Sequence, residues 1–206
     1  MQYIELNNQN PDDRRIKEIA EEIRDGAIIV FPTDTIYAIG CSLLNRKGIE
    51  AICKIFGKKP EKANLSIICH DLKNISDYTI QFNAVTFKML KHNLPGPFTF
   101  ILKANNEVPK LFLNKKKTIG IRVPDNNIAR SIVEALGHPL VSSSLKKLEG
   151  DEQQFITEPG EIYDAFKNHA DIIISGGAGG LEPSTIVDCT GDVPEITRQG
   201  AGELIG

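Results

Sequence analysis

The chain has 206 residues, 41% hydrophobic and 25% charged, a composition that excludes a disordered chain and suits one hydrophobic core. Met1-Gln-Tyr-Ile-Glu has no basic stretch leading into an apolar run, and no window approaches the roughly 18 apolar residues that span a bilayer, so a cytoplasmic protein without a membrane partner is expected. The net charge of −3 hides an asymmetry: Lys54 to Lys147 holds 16 Lys and Arg against 6 Asp and Glu, the remainder 8 against 21, which marks either a phosphate-bearing partner or solvated helix faces.

Pro11-Asp12-Asp13 opens a segment with Ile16, Ile19, Ala20 and Ile23 at helical spacing, closed by Gly26. Residues 27–31 are apolar on both faces and stop at Pro32, as a strand covered by helices on two sides does. Ile49, Ile52, Cys53 and Phe56 repeat the helical period before Gly57, and 65–69 reads as the next strand, a pattern of strand, helix, strand. Further on, 83–92 suits a helix, 98–103 and 119–123 strands, and 128–136 a helix stopped by Gly137. Strands follow at 140–144, 171–175, 185–188 and 195–198, with a short helix at 161–166. Alternating helices and strands predict an α/β layer architecture in a single domain, 1–206, and the short connections near the end predict some antiparallel pairing.

Cys41, Cys53, Cys69 and Cys189 form no C-x-x-C pair, and His70, His92, His138 and His169 no H-x-x-x-H spacing. The adjacent Cys69 and His70 point to opposite faces of a strand, so no tightly bound metal is expected.

Pro32-Thr-Asp-Thr-Ile-Tyr-Ala-Ile-Gly40 begins where the first apolar strand ends, the place where open α/β sheets put their ligands. Its hydroxyls, carboxylate and phenol suit either a binding loop or a turn with Asx-type capping. Gly176-Gly-Ala-Gly-Gly180 lacks both a G-K-[ST] ending and a following helix, so it reads as a tight connection rather than a phosphate cradle. Lys115-Lys116-Lys117 with Lys110 either rims a basic groove or forms a solvated loop.

Four ordered blocks carry a family resemblance: Pro32 to Gly40; Pro95-Gly-Pro-Phe-Thr99 with Ile101-Leu102; Gly120-Ile-Arg-Val-Pro124; and Pro183-Ser-Thr-Ile-Val-Asp188 leading to Arg198-Gln-Gly200. Together they make the chain resemble the YrdC/YciO family over nearly its whole length. The resemblance implies a twisted mixed sheet, parallel and antiparallel, flanked by helices and presenting a basic concave face. It also implies a nucleotide- and RNA-binding protein similar to the threonylcarbamoyl-AMP synthases. These nucleotidyltransferases convert ATP, L-threonine and bicarbonate to threonylcarbamoyl-AMP and pyrophosphate, with Mg²⁺ on the nucleotide, at the start of a tRNA modification.

Carried onto this sequence, the resemblance implies that Thr33 and Thr35 contact substrate threonine or phosphate oxygens and that Tyr37 lines an adenylate pocket. Arg122 becomes a catalytic fork for a carboxylate, the alternative being a structural ion pair. Ser142, Ser144, Ser184, Thr185 and Arg198 become nucleotide contacts. The synthases' Lys-x-Arg before a proline is replaced by Gly57-Lys58-Lys59-Pro60, which leaves Lys59 as a catalytic point charge and Lys58 beside it. Their Ser-Ala-Asn is replaced by Ser144-Leu145-Lys146. Both departures look like the YciO-type branch. They keep open an alternative: a protein that binds double-stranded or structured RNA through Lys58, Lys59, Lys115, Lys116 and Lys117, without synthase activity. The end at Gly206, soon after the last block, leaves out the extra C-terminal domain that some longer synthases carry.

Overall fold

Asp12 accepts a hydrogen bond from the Arg15 backbone N–H at 2.9 Å and so opens helix α1, Asp13–Arg24, whose Ile16, Ile19, Ala20 and Ile23 are buried on one side. The structure, a computed structural model, describes residues 1–63, 65–110, 116–148 and 154–206. Asn45, Asp71, Asn83 and Asn126 cap four further helices in the same way: α2 Arg46–Ile55, α3 Leu72–Tyr78, α4 Ala84–Asn93 and α5 Asn127–Leu136. Pro159 starts α6, Pro159–Phe166, where its missing N–H costs nothing.

Among the described residues ten strands form one sheet: β1 Gln2–Glu5, β2 Ile29–Phe31, β3 Ala38–Ser42, β4 Ser66–Ile68, β5 Phe98–Lys103, β6 Thr118–Arg122, β7 Leu140–Ser144, β8 Ile172–Ser175, β9 Thr185–Asp188 and β10 Glu195–Arg198. Their order is β1-β8-β2-β3-β7-β4-β6-β5-β9-β10. The pairs β1/β8, β2/β8, β4/β6 and β5/β9 are parallel; β2/β3, β3/β7, β4/β7, β5/β6 and β9/β10 are antiparallel. The sheet is therefore mixed and flanked by six helices, as the fold class anticipates. Antiparallel pairing reaches the middle of the sheet rather than only the terminal strands.

The pattern of strand, helix, strand drawn over 27–69 lacks one strand. Pro32 to Tyr37 joins β2 to the antiparallel β3, so the motif is the connection within a strand pair and not the entry to a helix. β1 and α3 also go unannounced in the sequence. β1 is a largely exposed edge strand, and α3 has seven residues with only Ile75 buried, so neither carries a periodic apolar signal.

Alternation along the strands divides the sheet into two unequal faces. On one face Val30, Ile39, Ile67, Val141, Ile121, Phe100 and Val187 belong to a continuous core with α2, α3, α4 and α6. On the other, Ile29, Phe31, Ile68, Leu140, Ile172 and Ile174 pack under α1 and α5. This second cluster stops at β4 and β7. Beyond it, toward β6, β5, β9 and β10, the same face turns largely to serine, threonine and glycine and is covered by no helix among the described residues.

Candidate active site

The uncovered stretch is a cleft of about 330 Å³, floored by strands β4, β5, β6 and β7 and walled by β9 and β10. Register explains its chemistry. Ser66 lies directly opposite both Gly120 and Ser142, and Gly120 lies opposite Ile101. These residues share the face opposite to Ile67, Ile121, Val141 and Phe100, so one alternation makes the core on one side and a polar floor on the other.

Arg122, at the end of β6, is the buried head of this floor. Its Nη2 donates to Asp34 Oδ1 at 3.0 Å and to Thr35 Oγ1 at 2.9 Å, with Thr33 Oγ1 at 3.5 Å. The other Asp34 oxygen accepts the Asp125 backbone N–H at 2.9 Å, which ties the motif loop to the approach of α5. Arg122 Nε is buried with no hydrogen-bond partner. Burial pulls the guanidinium below its ordinary pKa and the Asp34 carboxylate opposes that shift. Its starting value is so high that the charge persists at neutral pH.

Arg198, on β10, supplies the second cation. It donates to the Ser184 carbonyl at 2.7 and 3.2 Å and to Ser184 Oγ at 3.4 Å. Its pKa is lowered first by burial and then by repulsion from Arg122, so the two cations act on a common space. Ser184 Oγ also meets Thr99 Oγ1 at 2.7 Å, and Ser66 Oγ meets Ser142 Oγ at 3.1 Å. Within the Ser184/Thr99 pair one proton is used between the partners and one is left over, whereas Ser142 Oγ also donates to the Ser66 carbonyl at 3.4 Å. With Ser144 also on the lining, the cleft offers mainly donors, the pattern that recognises an oxyanion.

The motif threonines stand outside the cleft lining. Thr33 Oγ1 donates to the Ile36 carbonyl at 2.7 Å and lies 3.1 Å from Thr35 Oγ1, and both are buried. Their hydroxyls serve Arg122 rather than a ligand directly. Tyr37 departs further from the role its motif implies. Its side chain is buried, and its hydroxyl donates to the Gly177 carbonyl at 2.6 Å and accepts the Gly176 N–H at 3.0 Å. It anchors the glycine-rich connection and stands off the cleft lining. That connection packs on the motif: Gly180 N donates to the Thr35 carbonyl at 2.6 Å, and a Cβ at Gly180 would sit 2.5 Å from the same oxygen. The tight-connection reading is the one this geometry supports.

Thr185 likewise stands off the cleft lining. It is fully buried, donates to the Gly202 carbonyl at 2.7 Å, and accepts the N–H groups of Gly200 and Gly202 at 3.0 and 3.1 Å. Lys58 and Lys59 are exposed and off the lining, although Lys59 directly precedes Pro60, which is on it. Lys59 caps a short 3₁₀ turn with its side chain exposed, next to the lining and not on it. Lys116 and Lys117 are exposed just before Thr118, another lining residue. Lys115 lies outside the described residues. The basic character of the cleft thus comes from two arginines, with lysines beyond its edge.

Ser66, Thr99, Gly120 and Asp34 are the site residues that sequence reading did not single out as contacts. Only cross-strand register brings the first three together. For Asp34, its place between two threonines of the motif is the available signal. No carboxylate lines the cleft among the described residues, no group of three His, Cys, Asp or Glu could hold a metal, and both Asp34 oxygens are committed.

The family model described as telomere recombination, Sua5/YciO/YrdC, matches residues 21–200. The chain belongs to this family. It is 42% identical over 204 residues to the uncharacterized protein YciO of Escherichia coli, covering 98% of this chain and 97% of that one. The crystal structure of E. coli YciO superposes with a TM-score of 0.90, over 98% of this chain and 97% of that chain at 41% identity. A threonylcarbamoyl-AMP synthase of Halorhodospira halophila is 25% identical over 171 residues, 83% of this chain and 87% of the relative. Sua5 of P. abyssi, crystallised with L-threonine, shares the fold at a TM-score of 0.87 and 24% identity, over 97% of this chain and 58% of that one. No helix among the described residues is long and apolar enough to cross a membrane.

Proposed function

We propose that the cleft binds an adenine nucleotide and performs a reaction of the threonylcarbamoyl-AMP synthase kind. The observation that carries this reading is the convergence of Arg122 and Arg198 over a floor of hydroxyl donors, with Arg122 Nε lacking a partner. In the reaction L-threonine and bicarbonate condense to a carbamate with loss of water. A carbamate oxygen attacks the α-phosphorus of ATP, the bond from that phosphorus to the bridging oxygen breaks, and pyrophosphate leaves with the electron pair. No protein nucleophile is required. The chain's task is to place carbamate against phosphorus and to stabilise the charge with fixed donors.

Arg122, held by Asp34 and Thr35, lends its fixed positive charge to a carboxylate or phosphate group in the cleft. Arg198 and the hydroxyls of Ser142, Ser144 and Ser184 meet the phosphates. Mg²⁺ would enter with ATP as the Mg·ATP substrate and neutralise phosphate charge. The product is the activated donor for modification of a tRNA adenosine. The test is pyrophosphate release with ATP, Mg²⁺, bicarbonate and L-threonine, beside Arg122→Ala and Arg122→Lys proteins of verified fold. Release that needs both threonine and bicarbonate and is lost in both variants supports the synthase reading, and the absence of release removes it.

A second reading rests on the exposed lysines. Lys58, Lys59, Lys116 and Lys117 adjoin cleft residues while pointing to solvent, an arrangement suited to the phosphates of double-stranded or structured RNA, including tRNA. A steep loss of RNA affinity with salt, reduced by Lys58→Ala and Lys116→Ala, supports it. Affinity no greater than that of a neutral control protein excludes it.

A further inference from the structure

Taken alone, β10 is a poor mount for a cleft residue. Its four residues are exposed, it pairs with β9 on one side only, and its register slips between Ile196 and Arg198. A strand that buries no apolar side chain frays unless something else holds it. Yet Arg198, its last residue, is bound to Ser184 through both the carbonyl and the hydroxyl. The residues that follow supply the hold. Ala201 N donates to the Pro183 carbonyl at 2.9 Å, and Thr185 Oγ1 takes the N–H groups of Gly200 and Gly202. Gly202 lies against the Phe98 ring, where a Cβ would come within 2.6 Å, and Leu204 packs on the core. Asn93, the last residue of α4, closes the run. Its Oδ1 accepts the Ile205 N–H at 2.9 Å, and its Nδ2 donates to the carbonyls of Ile205 and Met89, both at 2.7 Å. This amide, 5% exposed, thus grips both backbone groups of Ile205 as a neighbouring strand would.

We propose that Asn93 is a positioning residue for the cleft: by fastening Ile205 it fixes residues 199–205, and through them the end of β10 that carries Arg198. Asn93 is off the cleft lining and acts on no ligand itself. Helix packing accounts for its bond to Met89, one turn back, and not for the two bonds to Ile205. Apolar burial does not place Ile205 either, since 61% of it is exposed. What those two bonds secure is the position of the segment, and a buried carboxamide is costly unless its atoms are paired in this way. The path back to the cleft is short. Asn93 holds Ile205, Thr185 holds Gly202 and Gly200, and Gly200 lies two residues from Arg198. The inference rests on the nucleotide reading, in which Arg198 meets the phosphates, and adds what keeps that arginine in place.

Two measurements test it. Calorimetry with AMP and with adenosine gives a ratio of affinities that isolates the phosphate, and nuclear spin relaxation at the Arg198 Nε–H reads the side chain's mobility with no ligand present. Asn93→Ala is expected to lower the AMP-to-adenosine ratio about fivefold, a partial loss of one charge-assisted contact, and to leave adenosine affinity unchanged. The Arg198 Nε–H should become more mobile. In an Arg198→Ala background the same substitution should not change the ratio further, because Asn93 acts only through that arginine. Should Asn93→Ala fail to fold, Ile205→Pro, which removes the N–H donated to Asn93 and leaves α4 unaltered, carries the same expectations. A ratio that the variant leaves unchanged, or lowers equally in the Arg198→Ala background, overturns the positioning role and leaves the nucleotide reading standing, as does an Arg198 Nε–H no more mobile than in the wild type. A wild-type protein that does not prefer AMP to adenosine removes the nucleotide reading, and the mobility of Arg198 then decides the positioning role by itself.

Discussion

Arg122 Nη2 and Asp34 Oδ1 stand 3.0 Å apart with 5% and 8% of their side chains exposed, which makes this a buried ion pair at the head of a binding cleft. Removing one partner of such a pair strands the other charge. Asp34→Ala should lower the unfolding free energy by ~3–5 kcal/mol in urea titration, because Arg122 cannot discharge itself as a carboxylate can. A change below about 1 kcal/mol would mean that water already screens the pair.

The Tyr37 hydroxyl joins the Gly176 N–H and the Gly177 carbonyl. Tyr37→Phe deletes both bonds while keeping the ring, so a loss of ~1–3 kcal/mol is expected with unchanged AMP affinity. Weakened AMP binding at full stability would return Tyr37 to the ligand pocket.

Thr185→Val keeps the shape of the side chain and leaves the N–H groups of Gly200 and Gly202 without their acceptor. The C-terminal segment should loosen and be cut earlier by a nonspecific protease, with a stability loss of ~2–3 kcal/mol. An unaltered digestion pattern would show that this hydroxyl does not hold the segment.

Burial pushes the Cys41 thiol up to about 12 from its ordinary 9. The folded chain therefore keeps a proton that the unfolded chain loses above pH 9, and stability declines from about pH 9 to about pH 12, with no contribution below that window. Cys41→Ala should flatten the alkaline limb by ~1.4 kcal/mol per pH unit in denaturant titrations at successive pH values. Equal slopes in the two proteins would exclude Cys41 as a contributor. Cys69 and Cys189 are raised by burial in the same sense, so some decline should remain in the variant.

Much of this fold is legible in the sequence where a face is apolar. The helix carrying Ile16, Ile19, Ala20 and Ile23 follows from its period, and strands β5, β7, β9 and β10 begin and end where their apolar and turn residues place them. β3 is hidden because Ala38-Ile-Gly-Cys-Ser42 is buried on both faces and filled with small residues, so it reads as part of a loop motif. At the site, Arg122 and Arg198 are visible through their blocks, while Lys58 and Lys59 stand exposed beyond the lining. A position next to a conserved-looking proline says nothing of which way a long side chain turns. Ser66, Thr99 and Gly120 are separated by tens of residues in sequence and meet only through strand order, which local patterns do not encode.

Since α1 and α5 cover one end of a sheet face and nothing among the described residues covers the other, the strands under the cleft answer to two masters at alternating positions. Phe100, Ile121 and Val141 fill the core, while Thr99, Ser142 and Ser144 line the cleft on the opposite side. A combinatorial library confined to the second set should yield mostly soluble, cooperatively melting proteins with altered ligands, so substrate choice on this scaffold can drift without renegotiating the core.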